Sequence, residues 1–134
     1  MISAGPETLV ILAMLSELKD RMGPQTDEVL VSVGERIGQA SHFDLDGALD
    51  QFLETMNEVW GELGLGHAEL SLSEQGLDIR HFLPVYDNTE GLWREALPKI
   101  IEGIYKGWFN HLDPHGHLTR KPGSGRELEF FFSE

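Results

Sequence analysis

The segment from Trp93 to Trp108 constrains the fold more than any other part of this chain; it reads WREALPKIIEGIYKGW. Its apolar side chains recur at helical spacing, yet Pro98, Gly103 and Gly107 interrupt the pattern. In a helix interior each glycine costs about 1 kcal/mol and a proline about 3 kcal/mol. The helix therefore either begins near Pro98 or bends there, and the glycines predict close approach of another backbone. The segment indicates an interface rather than a catalytic site.

The length and charge of the chain limit what it can bind. Its 134 residues predict a single domain covering 1–134. With 23 acidic and 10 basic residues the net charge is -13, which disfavours nucleic acid and anionic lipid as partners. No cysteine is present, so thiol catalysis, disulfides and cysteine-based zinc sites are excluded.

The first residues suggest neither a secretory signal nor a membrane anchor. The opening MISAGPE has no basic residue, and the apolar run from Leu9 to Leu15 is too short to span a bilayer. We expect a cytoplasmic protein without membrane insertion.

Three helices are predicted in the first half of the chain. The first runs from Pro6 to about Met22 and is apolar over more than half of its circumference, which favours burial by a second subunit. The second, capped by Thr26, runs to about Ala40. Its inward residues are expected to be Val29, Leu30, Val33 and Ile37, and Gly34 and Gly38 lie one turn apart. The third is capped by Asp44 or Asp46 and ends at Gly64 or Gly66, with apolar residues from Leu45 to Leu63.

The apolar period then changes to two. Ala68–Leu72 and Leu77–Leu83 predict a hairpin whose turn is Ser73–Gly76, and His81 falls on its apolar face. After the Trp93–Phe109 helix, strands at 117–121 and 127–132 predict a second hairpin, with Leu128, Phe130 and Phe132 on one face. The predicted fold is α+β, in the order ααα-ββ-α-ββ, with a small antiparallel sheet packed on helices.

No group of residues gives a strong catalytic or cofactor signal. His111, Asp113, His115 and His117 are metal-ligand types, and this segment could bring two imidazoles and a carboxylate together. Their spacing falls across a Pro-Gly turn, and no cysteine supplies the fourth ligand of a structural site, so solvated histidines are the better interpretation. No G-x-S-x-G or G-x-G-x-x-G pattern and no marked carboxylate pair occurs. His67 and His81 are possible cross-strand neighbours, and His81 is expected to be a hydrogen-bonded core residue. We expect no cofactor and no enzymatic activity.

The aromatic residues divide into two groups. Trp60 and Trp108 fall on apolar helix faces and are expected in the core, whereas Trp93 and Tyr86 lie near a polar loop. Exposed rings stack on sugars, so these two are candidate glycan contacts.

Several pieces of the chain, in their order and spacing, resemble the BcsD family, the D subunits of bacterial cellulose synthase. They are VLVSVGERIG (29–38), NEVWGELGLG (57–66), the hairpin with LDIRHFLP (77–84), and W-x(8)-EGIYKGW (93–108). The residues that carry the resemblance best, called the marker residues below, are Trp60, Gly61, His81, Leu83, Pro84, Glu102, Gly103, Tyr105 and Trp108.

The resemblance implies a non-catalytic accessory subunit of a cellulose synthase complex. In that family, dimers assemble into a cylindrical octamer whose passages are thought to guide nascent β-1,4-glucan chains during export. The expected partners are therefore other copies of this chain, other proteins of the synthase complex, and glucan. The residues implied to line a passage are Met1, Ile2, Ser3 and Ala4. The family also implies the periplasm as an alternative location, and a small-ligand or metal sensor is the rival function.

Overall fold

The computed structural model describes residues 6–41, 49–84, 91–121 and 127–133. Four helices and four strands occur there in the predicted α+β order, which is confirmed. The helices are α1 (Pro6–Met22), α2 (Thr26–Ala40), α3 (Leu49–Leu63) and α4 (Gly91–Leu112), with a short 3-10 turn at Gly23–Gln25; the strands are β1 (His67–Leu72), β2 (Leu77–Phe82), β3 (His117–Lys121) and β4 (Glu127–Ser133).

The four strands form one antiparallel sheet in the order β1-β2-β4-β3. Ile79 in β2 lies between Leu70 of β1 and Phe130 of β4. Because side chains alternate between faces, this register directs Ile79 and Phe130 to the buried side and Arg80 to the other. The prediction that Leu128, Phe130 and Phe132 share one face of the sheet is confirmed.

The core lies between the helices and this inner face. Its fully buried residues come from α3, β2, α4 and β4, and α2 packs most extensively on α4. They include Met56, Trp60, Ile79, His81, Ile101, Ile104, Tyr105, Trp108 and Phe130. The prediction that Trp60 and Trp108 are core residues is confirmed.

Two details of α2 differ from the prediction. Thr26 is the first helical residue, and its hydroxyl donates to the carbonyl oxygen of Leu18 at 3.3 Å instead of capping the helix. Val33 is 39% exposed, because the inner face of α2 is formed by Leu30, Gly34 and Gly38. Helical spacing alone predicts the larger apolar valine on the buried face. In the structure α4 packs so close to α2 that glycine, which has no side chain, occupies that face.

Helix α4 begins at Gly91, which excludes the first of the two alternatives, a start near Pro98, and places the proline inside the helix. Its missing N–H leaves one carbonyl oxygen of the preceding turn without its usual donor. The extensive packing on α2 and the burial of Leu97, Ile101 and Ile104 stabilise the helix despite that loss.

The end of α3 agrees with the prediction that Gly64 stops it. Gly64 has φ 69°, its N–H donates to the carbonyl of Gly61 at 3.2 Å, and the N–H of Leu65 donates to that of Trp60 at 3.1 Å. These bonds form a Schellman motif, which requires the left-handed conformation that glycine adopts without strain. The predicted caps Asp44 and Asp46 lie outside the described residues.

Candidate functional site

The aromatic marker residues, which are far apart in the sequence, meet in one cluster. Trp60 of α3 lies with its ring centroid 4.5 Å from His81 of β2, 5.0 Å from Tyr105 and 4.7 Å from Trp108 of α4. Each is at most 1% exposed. The cluster therefore joins three elements at the centre of the core, and we call it the aromatic cluster.

His81 makes two hydrogen bonds that fix its tautomer. Its Nε2 lies 2.7 Å from the carbonyl oxygen of Leu65, and its Nδ1 lies 2.7 Å from the hydroxyl of Tyr105. A carbonyl can only accept, so Nε2 carries the proton and Nδ1 accepts from Tyr105. The prediction that His81 is a hydrogen-bonded core histidine is confirmed.

Burial sets the charge state of this pair. It lowers the pKa of His81 from 6.5 to about 4, with a smaller contribution from His67, while the hydrogen bond to Leu65 acts in the opposite direction. Burial also raises the pKa of the Tyr105 hydroxyl well above its usual 10.0, against a smaller effect of Trp60. Both groups are therefore neutral near pH 7, and both are sealed from solvent. This arrangement serves packing rather than proton transfer to a ligand.

The two indoles of the cluster differ in their polar contacts. Trp108 Nε1 donates to the hydroxyl of Ser41 at 3.1 Å, and that hydroxyl donates to the carbonyl of Ile37 at 2.7 Å, which ties α4 to the end of α2. Trp60 Nε1 is buried and faces the Tyr105 hydroxyl, but it makes no hydrogen bond of good geometry among the described residues. The sequence pattern contained no signal for the hydrogen bond between Trp108 and Ser41.

The remaining marker residues lie around the cluster. Gly103 lies against α2, Glu102 forms an ion pair with Lys106 at 3.5 Å, and Pro84 is half-buried just beyond β2. Gly61 faces open space. The predicted close approach of a backbone at the α4 glycines is confirmed, but that backbone is α2 of the same chain. The inference that these glycines mark contacts between subunits is therefore corrected.

The histidine-rich turn is formed as a turn but does not assemble a metal site. The N–H of Gly116 donates to the carbonyl of Asp113 at 3.1 Å, and a carboxylate oxygen of Asp113 accepts from the N–H of His115 at 3.1 Å. His111, His115 and His117 are exposed. Across the described ranges, no three histidine, aspartate or glutamate side chains are grouped to hold a metal ion.

The other candidate residues are placed as follows. His67 is opposite Phe82, on which its ring stacks at 4.8 Å, so it is not the direct cross-strand neighbour of His81, which lies opposite Ala68. Met1–Ala4, Tyr86 and the side chain of Trp93 lie outside the described residues.

Helix α1 presents an apolar surface outward. Val10 and Met14 are 59% and 60% exposed, and Ile11 is also exposed, while Leu15 is buried. Lys19 joins α1 to Glu95 of α4 through an exposed ion pair at 2.6 Å. We call Val10, Ile11 and Met14 the α1 face. An exposed contiguous apolar stripe of this kind is typical of an interaction surface.

Comparison with known proteins identifies the class to which this fold and core belong. The sequence profile for the D subunit of cellulose synthase matches residues 7–127. The chain therefore belongs to the cellulose synthase D-subunit family and has a role in cellulose synthesis. No curated protein is similar enough to count as a match.

The fold is also similar to a solved structure from a study called "Modulating Heme Redox Potential Through Protein-Induced Porphyrin Distortion". The two are 12% identical with a TM-score of 0.61, and the alignment covers 100% of this chain and 78% of the other. At this identity the likeness concerns the fold alone. Among the described helices, none is long and apolar enough to cross a membrane.

Proposed function

We propose that this chain is a non-catalytic accessory subunit of a bacterial cellulose synthase complex. It forms dimers that assemble into an octamer, and the assembly organises or guides nascent β-1,4-glucan chains during synthesis and export. Family membership supports the pathway. The proposal places the protein in the cytoplasm, with the periplasm as the alternative that cell fractionation distinguishes.

The observation that best supports the proposed assembly is the exposed apolar surface of the α1 face. Three large apolar side chains on one helix are left in water, although the same chain buries many long apolar residues around the aromatic cluster. Removing apolar surface from water contributes roughly 25 cal/mol for each Å². When a second copy docks with the same face, one contact buries apolar surface on both chains, so the favourable free energy is doubled. A self-complementary contact of this type is the usual geometry of a two-fold dimer.

The internal architecture supports a passive role. The buried His81–Tyr105 pair is neutral and has no path to a substrate, and charged residues of the outer sheet face are paired with one another, as in Arg80–Glu127 at 2.8 Å. Guiding a moving chain requires weak, repeated contacts, because tight binding would hold the glucan in place. A closed, well-packed core of this kind suits such a role.

The rival sensor function is less well supported. A haem, the group studied in the structural relative, needs an available ligand, but both ring nitrogens of His81, the one buried histidine in the described ranges, are engaged by Tyr105 and Leu65. The space around it is filled by Trp60 and Tyr105. The interior around His81 therefore does not fit a haem.

Deletion in the producing cell tests the proposal. We expect less cellulose, or disordered cellulose, while glucan synthesis by isolated membranes continues at the original rate. Complementation by the unaltered chain should restore the product. Loss of synthesis in isolated membranes, or unchanged cellulose in the deletion strain, would contradict an organising role.

A further inference from the structure

A groove of about 420 Å³ lies where the C-terminal halves of α2 and α4 meet β3 and β4. Its volume is within the range of small-ligand sites, roughly 300–1,000 Å³. No marker residue lines it, and it is separate from the aromatic cluster. The side chains that matter for its chemistry are those of Glu35, Gln39, Lys106, Asn110, His117 and Phe132.

One wall of the groove is a ring that is held in place. Phe132 packs on Phe109 with centroids 4.7 Å apart, and its ring lies so close to Gly116 that a Cβ there would overlap it. Glycine at 116 therefore allows the ring to lie against the backbone. A fixed, half-buried ring offers an apolar surface at little cost in side-chain entropy.

The polar wall combines groups that donate with groups that accept. The amides of Gln39 and Asn110 do both, the carboxylate of Glu35 accepts, and the ammonium of Lys106 donates. A sugar hydroxyl also donates and accepts at once, and the C–H face of a pyranose packs on an aromatic ring. The lining is thus complementary to a neutral polyhydroxyl ligand.

The charged residues that line the groove disfavour simple anions and divalent cations as ligands. Lys106 is paired with Glu102 at 3.5 Å, and Glu35 adds a further negative charge, in a chain whose net charge is -13. An anion would meet one lysine beside a carboxylate, and a divalent cation would find no group of three ligand residues in the described ranges. A neutral ligand experiences neither penalty.

The outer face of the sheet is a poorer candidate for sugar stacking, although it also carries aromatic rings. The guanidinium of Arg80 lies 5.4 Å from the centroid of Phe82, and the ammonium of Lys121 lies 5.2 Å from that of Phe131. His67 stacks on the Phe82 ring as well. Cations or a stacked imidazole already cover these rings, whereas the part of the Phe132 ring that Phe109 and Gly116 leave accessible lines an open groove.

We infer that this groove is a subsite for a short stretch of gluco-oligosaccharide. Phe132 packs on a pyranose face, and Gln39, Asn110, Glu35 and Lys106 bind its hydroxyls. The inference rests on the proposed function for the identity of the sugar, and it adds a glucan contact outside the N-terminal segment.

The test is hydrogen exchange followed by mass spectrometry on the full chain in its native assembly, titrated with cellotetraose. We expect slower amide exchange in peptides covering 106–110 and 116–118. The double variant Gln39→Ala/Asn110→Ala should need at least roughly fivefold more sugar for half-maximal protection, since it removes two net hydrogen bonds. Gln51→Ala, an exposed glutamine on α3, is the matched control and should titrate like the unaltered chain.

The mass of the assembly, measured on the same samples, separates the two proposals. An intact multimer without protection in the groove, or with protection confined to other segments, overturns the subsite and leaves the proposed function in place. Equal titration of the double variant and the unaltered chain also overturns the subsite. A monomer that still shows protection in the groove supports the subsite and contradicts the proposed assembly.

Discussion

Gly34 of α2 and Gly103 of α4 lie face to face, so that a Cβ added to either would sit 2.8 Å from the Cα of the other. One turn further along, Gly38 and Gly107 repeat the arrangement at 3.0 Å. The two helix backbones are therefore in direct contact. The same helix, α4, carries Tyr105 and Trp108 of the aromatic cluster, which are buried in the core.

The first prediction concerns this helix contact. Gly103→Ala should lower the free energy of unfolding by about 3 kcal/mol, since the new Cβ would overlap the carbonyl oxygen of Val31 and the helices would have to separate. Urea unfolding at fixed protein concentration measures the change.

The control for that change is Gly61→Ala in α3. No atom lies within 4 Å of a Cβ at Gly61, so the alanine should raise stability by about 0.5–1 kcal/mol through helix propensity. Equal stability of Gly103→Ala and the unaltered chain would contradict the described packing of α2 on α4. If Gly103→Ala does not fold, Gly107→Ala, whose Cβ would meet the carbonyl oxygen of Glu35 at 2.7 Å, gives a milder test.

The second prediction concerns the buried hydrogen bond of His81. Tyr105→Phe leaves Nδ1 of His81 without its donor, and an unsatisfied buried acceptor costs about 1–3 kcal/mol. Urea unfolding of Tyr105→Phe, His81→Leu and the double variant forms a double-mutant cycle. We expect the double variant to be less destabilised than the sum of the two single changes. Strict additivity would show that the two side chains do not interact.

The third prediction is a loss of stability in acid that originates at His81. Its pKa is about 4 in the folded chain and 6.5 when unfolded, so between these values the unfolded chain binds the extra proton. Stability from this group is therefore complete above pH 6.5 and falls as the pH is lowered, by about 3 kcal/mol at pH 4.

Unfolding free energies measured from pH 7.5 to pH 4.5 test this assignment. The His81→Leu variant should show a shallower decline than the unaltered chain. His115→Gln, which changes an exposed histidine on a turn, should retain the full decline. Parallel curves for His81→Leu and the unaltered chain would place the acid sensitivity elsewhere.

The fourth prediction concerns the α1 face. Met14→Glu puts a charge at a position that is 60% exposed in the single chain and that the proposed dimer buries, so the assembly should dissociate into smaller species. Ser16→Glu adds the same charge at an exposed α1 position away from that face and should leave the mass unchanged. Circular dichroism checks that both variants fold. An unchanged mass for Met14→Glu would remove α1 from the interface.

Most of the fold could be predicted from the local periodicity of apolar residues and from the glycines that end elements. Period-two alternation placed both hairpins, and the positive-φ glycine after Leu63 ended α3 as expected. The cluster itself was predicted in part, since Trp60, His81 and Trp108 each fall on an apolar face. Their mutual contacts depend on the register of β2 with β1 and on the packing of α3 against β1, which no single segment encodes.

The features that the sequence left open, such as the position of Pro98, and those that were predicted wrongly, such as the burial of Val33, have a common physical origin in tertiary packing. Pro98 lies inside a helix because burial around it outweighs one lost hydrogen bond. Val33 is exposed because the glycines of α2 take the inner face. The α4 glycines were correctly interpreted as sites of backbone contact, but sequence spacing cannot distinguish a partner helix in the same chain from one in a neighbouring copy.

The most direct test of the account is the mass of the purified chain in solution. Sedimentation velocity and light scattering, from micromolar concentrations down to the nanomolar range, should give a defined species of about eight copies, with a dimer as the smaller form on dilution. A folded monomer that persists at every concentration would contradict the claim that this protein acts by assembling.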